Sequence, residues 1–260
     1  MNQKVTVLYF SPTGTSRTIA LKIGSVLSSR WKCDWKEVDL TRPEARVKPY
    51  VFPPEELVVF AFPVYAGRVP ELLLPMLSKM KGEGGMALPV CVYGNRAYED
   101  ALLEAKTLLT AGGFQVIAAG AFIGEHSLSV KLAAGRPDES DLRIAGAFAE
   151  QVAKKIESGD RSEPVVKGNL PFRERMPAGE PFRPVTTEAC TGCGLCAKVC
   201  PMGIIDPEHP SRVGEGCLCC CACVKRCPVH AKRFEDPRIL TLRQRLETSF
   251  MDRKEPELFV

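Results

Sequence analysis

The chain has 260 residues, 35 lysines and arginines against 31 aspartates and glutamates, a formal net charge of +4, and 45% hydrophobic residues. These are ordinary values for a folded chain of one large or two modest domains. The charge is thinly spread, net +1 over residues 1–160 and +3 over residues 161–260, so no basic patch supports nucleic-acid binding. No apolar run approaches the roughly 20 residues that span a bilayer, and the apolar run behind Met1–Lys4 is too short for a signal-peptide core. The expected location is cytoplasmic, with neither nucleic acid nor membrane as a partner.

The first 160 residues alternate strand and helix signals. Val5–Phe10 is a short apolar strand that runs into the loop Ser11-Pro12-Thr13-Gly14-Thr15-Ser16, followed by a helical stretch from Arg17 to Ser29. Cys33–Leu40 reads as a second strand, and Leu57–Phe62, continuously apolar between prolines, as a third. Leu72–Met80 reads as helix, Ala87–Tyr93 as a fourth strand, Glu99–Ala111 as helix and Phe114–Ile123 as a fifth strand. Asp138–Glu157 is a long helix capped at Asp138 or just before it. Five apolar strands separated by helices predict an α/β domain, a parallel sheet covered on both faces. In such sheets ligands bind outside the carboxyl ends of the strands, at the switch point.

Three loops at those ends carry candidate ligands. Ser11–Ser16 places hydroxyls and a glycine at a helix N-terminus, which suits a monophosphate. It lacks the Gly-Lys-Ser/Thr ending of a nucleoside-triphosphate loop. The third strand ends in Pro63-Val64-Tyr65-Ala66-Gly67 and the fourth in Tyr93-Gly94-Asn95-Arg96-Ala97-Tyr98. Tyr65 and Tyr98 are candidates to flank a flat ring; singly, each also reads as a half-buried loop aromatic. His126 follows the fifth strand and reads equally as a structural histidine; no catalytic residue is assigned.

From Ser158 to Glu188 the texture changes. Pro164, Pro171, Pro177, Pro181 and Pro184 alternate with charged residues. Phe172 and Phe182 suit a strap lying over the first domain better than a free tether. Past the cysteines, Ile239, Leu242, Leu246 and Phe250 recur at helical spacing, a packing helix.

Ten of the 12 cysteines lie between Cys190 and Cys227. Cys190, Cys193, Cys196 and Cys200 read C-x2-C-x2-C-x3-C before Pro201. Cys217, Cys220, Cys223 and Cys227 repeat this before Pro228. That is the run in which three cysteines hold one iron–sulfur cluster and the fourth holds the other run's cluster. It assigns Cys190, Cys193, Cys196 and Cys227 to one cluster, and Cys217, Cys220, Cys223 and Cys200 to a second. Zinc, the competing metal, prefers two close pairs. Cys219 and Cys221 leave the register unique and read as packing residues. Gly192–Ala197 satisfies a dinucleotide-binding pattern but follows no strand, so it is set aside.

Residues 1–157 resemble flavodoxin, whose phosphate loop has the form Ser/Thr-x-Thr-Gly-x-Thr; here only Ser16 departs. The whole chain resembles the prokaryotic family that fuses a flavodoxin-like domain to a two-cluster ferredoxin domain. The resemblance implies a flavodoxin-like five-stranded parallel doubly wound sheet and a small α+β ferredoxin-like second domain. Its boundaries would be 1–157 for the flavin domain, 158–184 for the strap, 185–236 for the ferredoxin domain and 237–260 for a helical tail. It implies FMN, two [4Fe-4S] clusters, electron transfer as the activity, and unidentified redox proteins as donor and acceptor. Two rivals remain open: an FMN-dependent reductase of a quinone, nitro or disulfide acceptor, and a redox sensor or assembly protein without flavin turnover.

Overall fold

In the computed structural model, which describes residues 4–175 and 182–260, the carboxyl ends of four parallel strands converge on one set of loops. Strands β1 (Lys4–Tyr9), β3 (Glu56–Pro63) and β4 (Met86–Tyr93) are almost wholly buried, as continuous apolar runs in the middle of a two-faced sheet should be. β2 (Trp35–Asp39) is the exposed edge. The fifth position is split into β5 (Gln115–Val116) and β6 (Ala119–Ile123). The order β2-β1-β3-β4-β6, parallel throughout, is the flavodoxin-like doubly wound arrangement.

Helices α1 (Thr15–Trp31) and α5 (Glu139–Glu157) cover one face, packing Ile19, Ile23, Leu27, Phe148 and Val152 against the sheet. α4 (Ala101–Ala111) covers the other, with Leu102 and Leu109 in its core. The start of α5 is fixed by a capping box: the Asp138 carboxylate accepts from the Ser140 and Asp141 N–H groups at 3.0 and 3.1 Å, and Asp141 returns the bond to Asp138 N–H at 2.9 Å.

Two expectations change. The helix expected over Leu72–Met80 is a 3-10 turn (Glu71–Leu73) and one α turn (Leu74–Leu77). Pro75 is tolerated only in a first turn, and Lys81 N–H is drawn away to the Tyr50 carbonyl at 2.9 Å. The tail is helical only over Pro237–Ser249 (helix α8 below); beyond it β9 (Glu257–Phe259) pairs antiparallel with β6. The unpaired β6 edge supplies the reason, since its N–H and C=O groups need partners.

Residues 163–175 of the Pro-rich stretch lie on the first domain. Val166 enters the core beside α4, and Lys106 Nζ donates to Pro164 O at 2.9 Å. Buried Asp100 accepts from the N–H groups of Asn169 (2.9 Å) and Arg173 (2.7 Å). Arg68 stacks over Phe172 at 4.9 Å, and Arg238 over Phe182 at 4.6 Å. Pro177 and Pro181 lie outside the described residues.

The cysteine-rich unit is small. β7 (Val185–Thr186) pairs antiparallel with β8 (Lys232–Arg233). α6 (Leu195–Val199) carries Cys196, and α7 (Ala222–Lys225) carries Cys223. α8 is the tail helix (Pro237–Ser249).

Candidate redox site

Two small clefts lie in the cysteine-rich unit. Cys190, Cys193, Cys196 and Cys227 line the first; Cys200, Cys217, Cys220 and Cys223 line the second. The fourth cysteine of each run therefore faces the cavity of the other. Among the described residues, no three of His, Cys, Asp or Glu sit close enough to share one metal ion. A cubane does not require this, because each of its four cysteines binds a different iron. A zinc ion would need four ligands on one centre. The donor set is soft thiolate throughout, which fits iron–sulfur chemistry.

The cavities differ in exposure. At the first, Cys193 is exposed and Cys196 buried. The second is walled by Ile204, Ile205, Val213 and Leu218, with Cys220 and Cys223 buried. One N–H···S bond is in place, Ala231 N to Cys227 Sγ at 3.2 Å. Such bonds tune cluster potentials.

The two runs share a backbone as well as a spacing. Gly192 and Gly194 both have φ of 70°; the equivalent positions of the second run are Cys219 and Cys221, at φ 52° and 59°. A left-handed residue precedes α6 and α7 alike. Aligning C-T-G-C-G-L-C with C-L-C-C-C-A-C reveals this in the sequence, where spacing alone showed only that Cys219 and Cys221 leave the register of the run unique.

In the loop after β1, Gly14 caps α1 in the left-handed region, at φ 96°. Ser11 Oγ accepts from Arg17 N–H at 3.0 Å. Thr15 and Ser16 begin the helix, so their N–H groups have no helical carbonyl four residues back. The Ser16 hydroxyl is fully buried and has no protein partner. An orphaned buried hydroxyl costs stability unless something bonds it. With the free N–H groups beside it, it fits a phosphate monoester. Pro12 and Thr13 lie in the turn of this loop.

The other loops differ from expectation. Tyr65 is half-buried in a tight turn, exchanging backbone bonds with Arg68. Burial raises the pKa of its hydroxyl well above the ordinary value, and the nearby sulfurs of Cys220, Cys221 and Cys219 add to this. Tyr98 does not flank a ring with it. Tyr98 is 5% exposed, packs against Tyr93 with centroids 5.5 Å apart, and donates to Glu257 Oε2 at 3.0 Å. The tail strand delivers that carboxylate, and α4 begins after Tyr98, at Ala101. Asn95 likewise turns to the tail, its Nδ2 donating to the carbonyls of Phe250 (2.6 Å) and Asp252 (2.9 Å). Gly67 admits the Glu99 side chain, and Gly94 the His126 ring; a Cβ at either would clash. Pro63 ends β3, and Val64 N–H bonds Val92 O at 2.9 Å.

The cysteine-rich unit rests on these loops. Lys225, the last residue of α7, donates to Glu125 Oε1 at 2.5 Å and to His126 O at 2.8 Å. Arg46 Nη2 donates to Pro201 O at 2.6 Å. Leu218 packs against the same apolar core as Tyr65. Sequence reasoning passed over Lys225, because a lysine among cysteines carries no signal of a partner 100 residues away.

The 4Fe-4S binding domain family, Fer4, matches residues 184–206, the first cysteine run. The chain joins a 4Fe-4S binding segment to a flavodoxin-like domain. No curated protein matches it. Among solved structures it is similar to the Streptococcus pneumonia TIGR4 flavodoxin, at 16% identity over 58% of this chain and 99% of that one, with a TM-score of 0.42. It is similar to an archaeal flavodoxin at 14% over 60% and 99%, TM-score 0.39. It also resembles a Bacillus anthracis azoreductase at 14% over 59% and 99%, TM-score 0.42. The strand order, rather than these similarities, establishes the fold.

Proposed function

We propose that this chain is an electron-transfer protein in which two [4Fe-4S] clusters and one FMN form a single path. The observation that carries the reading is the seating of the second cysteine run on the strand-end loops. Leu218 of that run packs against the same apolar core as Tyr65, and Lys225 is tied to the loop after β6. The clusters exchange electrons singly while FMN takes one or two, so one chain can interconvert the two modes.

The protein's residues supply position and environment. Cys193, at the surface, marks the first cluster as the point of exchange with an outside protein. Cys200 and Cys227 cross between the two sets and hold the clusters as neighbours. Ile204, Ile205, Val213 and Leu218 keep water from the second cluster, on the flavin side. Thr15 and Ser16 would hold the flavin phosphate, and Tyr65 would lie toward the ring. The redox partners are a donor and an acceptor protein in the cytoplasm.

Anaerobic rapid mixing with a one-electron reductant tests the order. In the wild type, flavin absorbance should bleach after the clusters do. Removing the second cluster through Cys217→Ser and Cys220→Ser should slow flavin reduction at least about tenfold. Equal rates in the two proteins would refute the path.

A further inference from the structure

Resting on the FMN reading, we propose that Arg226, from the iron–sulfur half, anchors the flavin phosphate, so that this site is completed only when the two halves are docked. The phosphate loop has no cation of its own. Its nearest, Arg17, is turned away, with Nε donating to Tyr9 OH and Glu37 Oε1 at 3.0 Å each. A phosphate monoester carries about −1.5 to −2 charges at neutral pH, and the loop offers it N–H groups and the buried, unpartnered Ser16 hydroxyl.

Arg226 reaches this loop from the cysteine-rich unit. Its Nη2 lies 3.5 Å from where a Cβ on Gly14 would stand. The adjacent Lys225 is paired with Glu125, whereas the Arg226 guanidinium has no carboxylate partner among the described residues. An unpaired guanidinium facing the N-terminus of a 17-residue helix sets positive charge against the positive end of the helix dipole. That arrangement is unfavourable until an anion lies between them. A phosphate there meets helix N–H groups on one side and a planar fork of donors on the other.

The placement of Arg226 is built into the cluster ligand runs. It caps α7, its N–H bonding Ala222 O at 3.0 Å, and it stands between Cys223 and Cys227, which line different cluster cavities. Cluster assembly therefore sets the arginine, and the arginine sets the phosphate site. Gly14 is required for its left-handed φ of 96°, and Arg226 Nη2 comes to within contact distance of it.

The test is flavin titration of the cluster-loaded, flavin-stripped full chain, followed by quenching of flavin fluorescence, with FMN and riboflavin as probes. Riboflavin lacks the phosphate. R226Q should weaken FMN by about 10- to 100-fold, the effect of losing a charge-assisted pair, and leave riboflavin unchanged. R226K, which keeps the charge but not the fork, should weaken FMN less. Iron content is measured alongside; if R226Q loses iron, R226K with full iron decides on the same FMN-versus-riboflavin comparison. FMN affinity equal to wild type, or equal losses for both flavins, would overturn the role of Arg226 while leaving the FMN reading intact. A wild type that binds neither flavin would overturn both.

Discussion

Lys225 and Glu125 join the two halves of the molecule, Nζ to Oε1 at 2.5 Å, with both side chains largely buried. Burial of the Glu125 carboxyl works to raise its pKa, but the Lys225 ammonium and the Gly135 N–H outweigh this and hold it below the ordinary range. The bond is thus made between full charges. The stabilisation is present above the unfolded carboxyl value of about 4.3 and is lost as pH falls through the lower folded value.

Lys225→Ala should therefore loosen the interface by about 1.5–3 kcal/mol, the range for hydrogen bonds to charged groups. Hydrogen exchange at residues 124–136 is the readout. Faster exchange there, with β1 and β3 unchanged, is the expected pattern; unchanged exchange would show that the pair does not hold the halves together.

His126 makes a second pH-sensitive element. Burial first, then the charges of Lys225 and Arg96, push its pKa down to about 4, while its Nδ1 accepts from Leu128 N–H at 3.1 Å. A histidine held neutral in the folded state contributes fully above the unfolded value of about 6.5, and this contribution falls away as pH drops toward about 4. Denaturant midpoints of His126→Asn should depend less on pH across that window than those of the wild type. An imidazole resonance of His126 titrating near 6.5 would contradict the assignment.

Asp100 fastens the strap. Its buried carboxylate takes the Asn169 and Arg173 N–H groups, and the Asn169 Nδ2 at 3.1 Å. Desolvation acts to raise its pKa; those donors bring it below the ordinary value. Asp100→Ala leaves two backbone donors unmet and should cost about 2–4 kcal/mol. Protease cleavage within residues 163–175 should accelerate accordingly. A nicking rate equal to the wild type would show that Val166 and Phe172 alone suffice.

Cys219 stands where the first run has Gly192. A non-glycine residue in the left-handed region costs about 1–2 kcal/mol, so Cys219→Gly should keep all bound iron and lose no stability. Loss of about half the iron on this substitution would instead make Cys219 a ligand.

The central sheet and the cluster cysteines were legible because their signals are local. An apolar strand running into Ser11–Ser16 marks a parallel sheet and its first strand-end loop, and C-x2-C-x2-C-x3-C marks through spacing alone which cysteines come together. Tyr98 was misassigned because its environment depends on Glu257, which reaches it only when β9 pairs with β6; three residues are too few to show periodicity. The left-handed cysteines were visible in principle, since the two runs align residue by residue. Lys225 and Arg226 were not: a basic pair between cluster ligands looks like a solvated face until the fold brings Glu125 and Gly14 beside it.

The most direct test of the account is metal, sulfide and flavin analysis of the anaerobically purified full chain. Two four-cysteine cavities and an occupied phosphate loop predict about eight irons, eight acid-labile sulfides and one FMN per chain. Stoichiometric zinc without sulfide, or full iron with no flavin bound even after FMN is supplied, would contradict it.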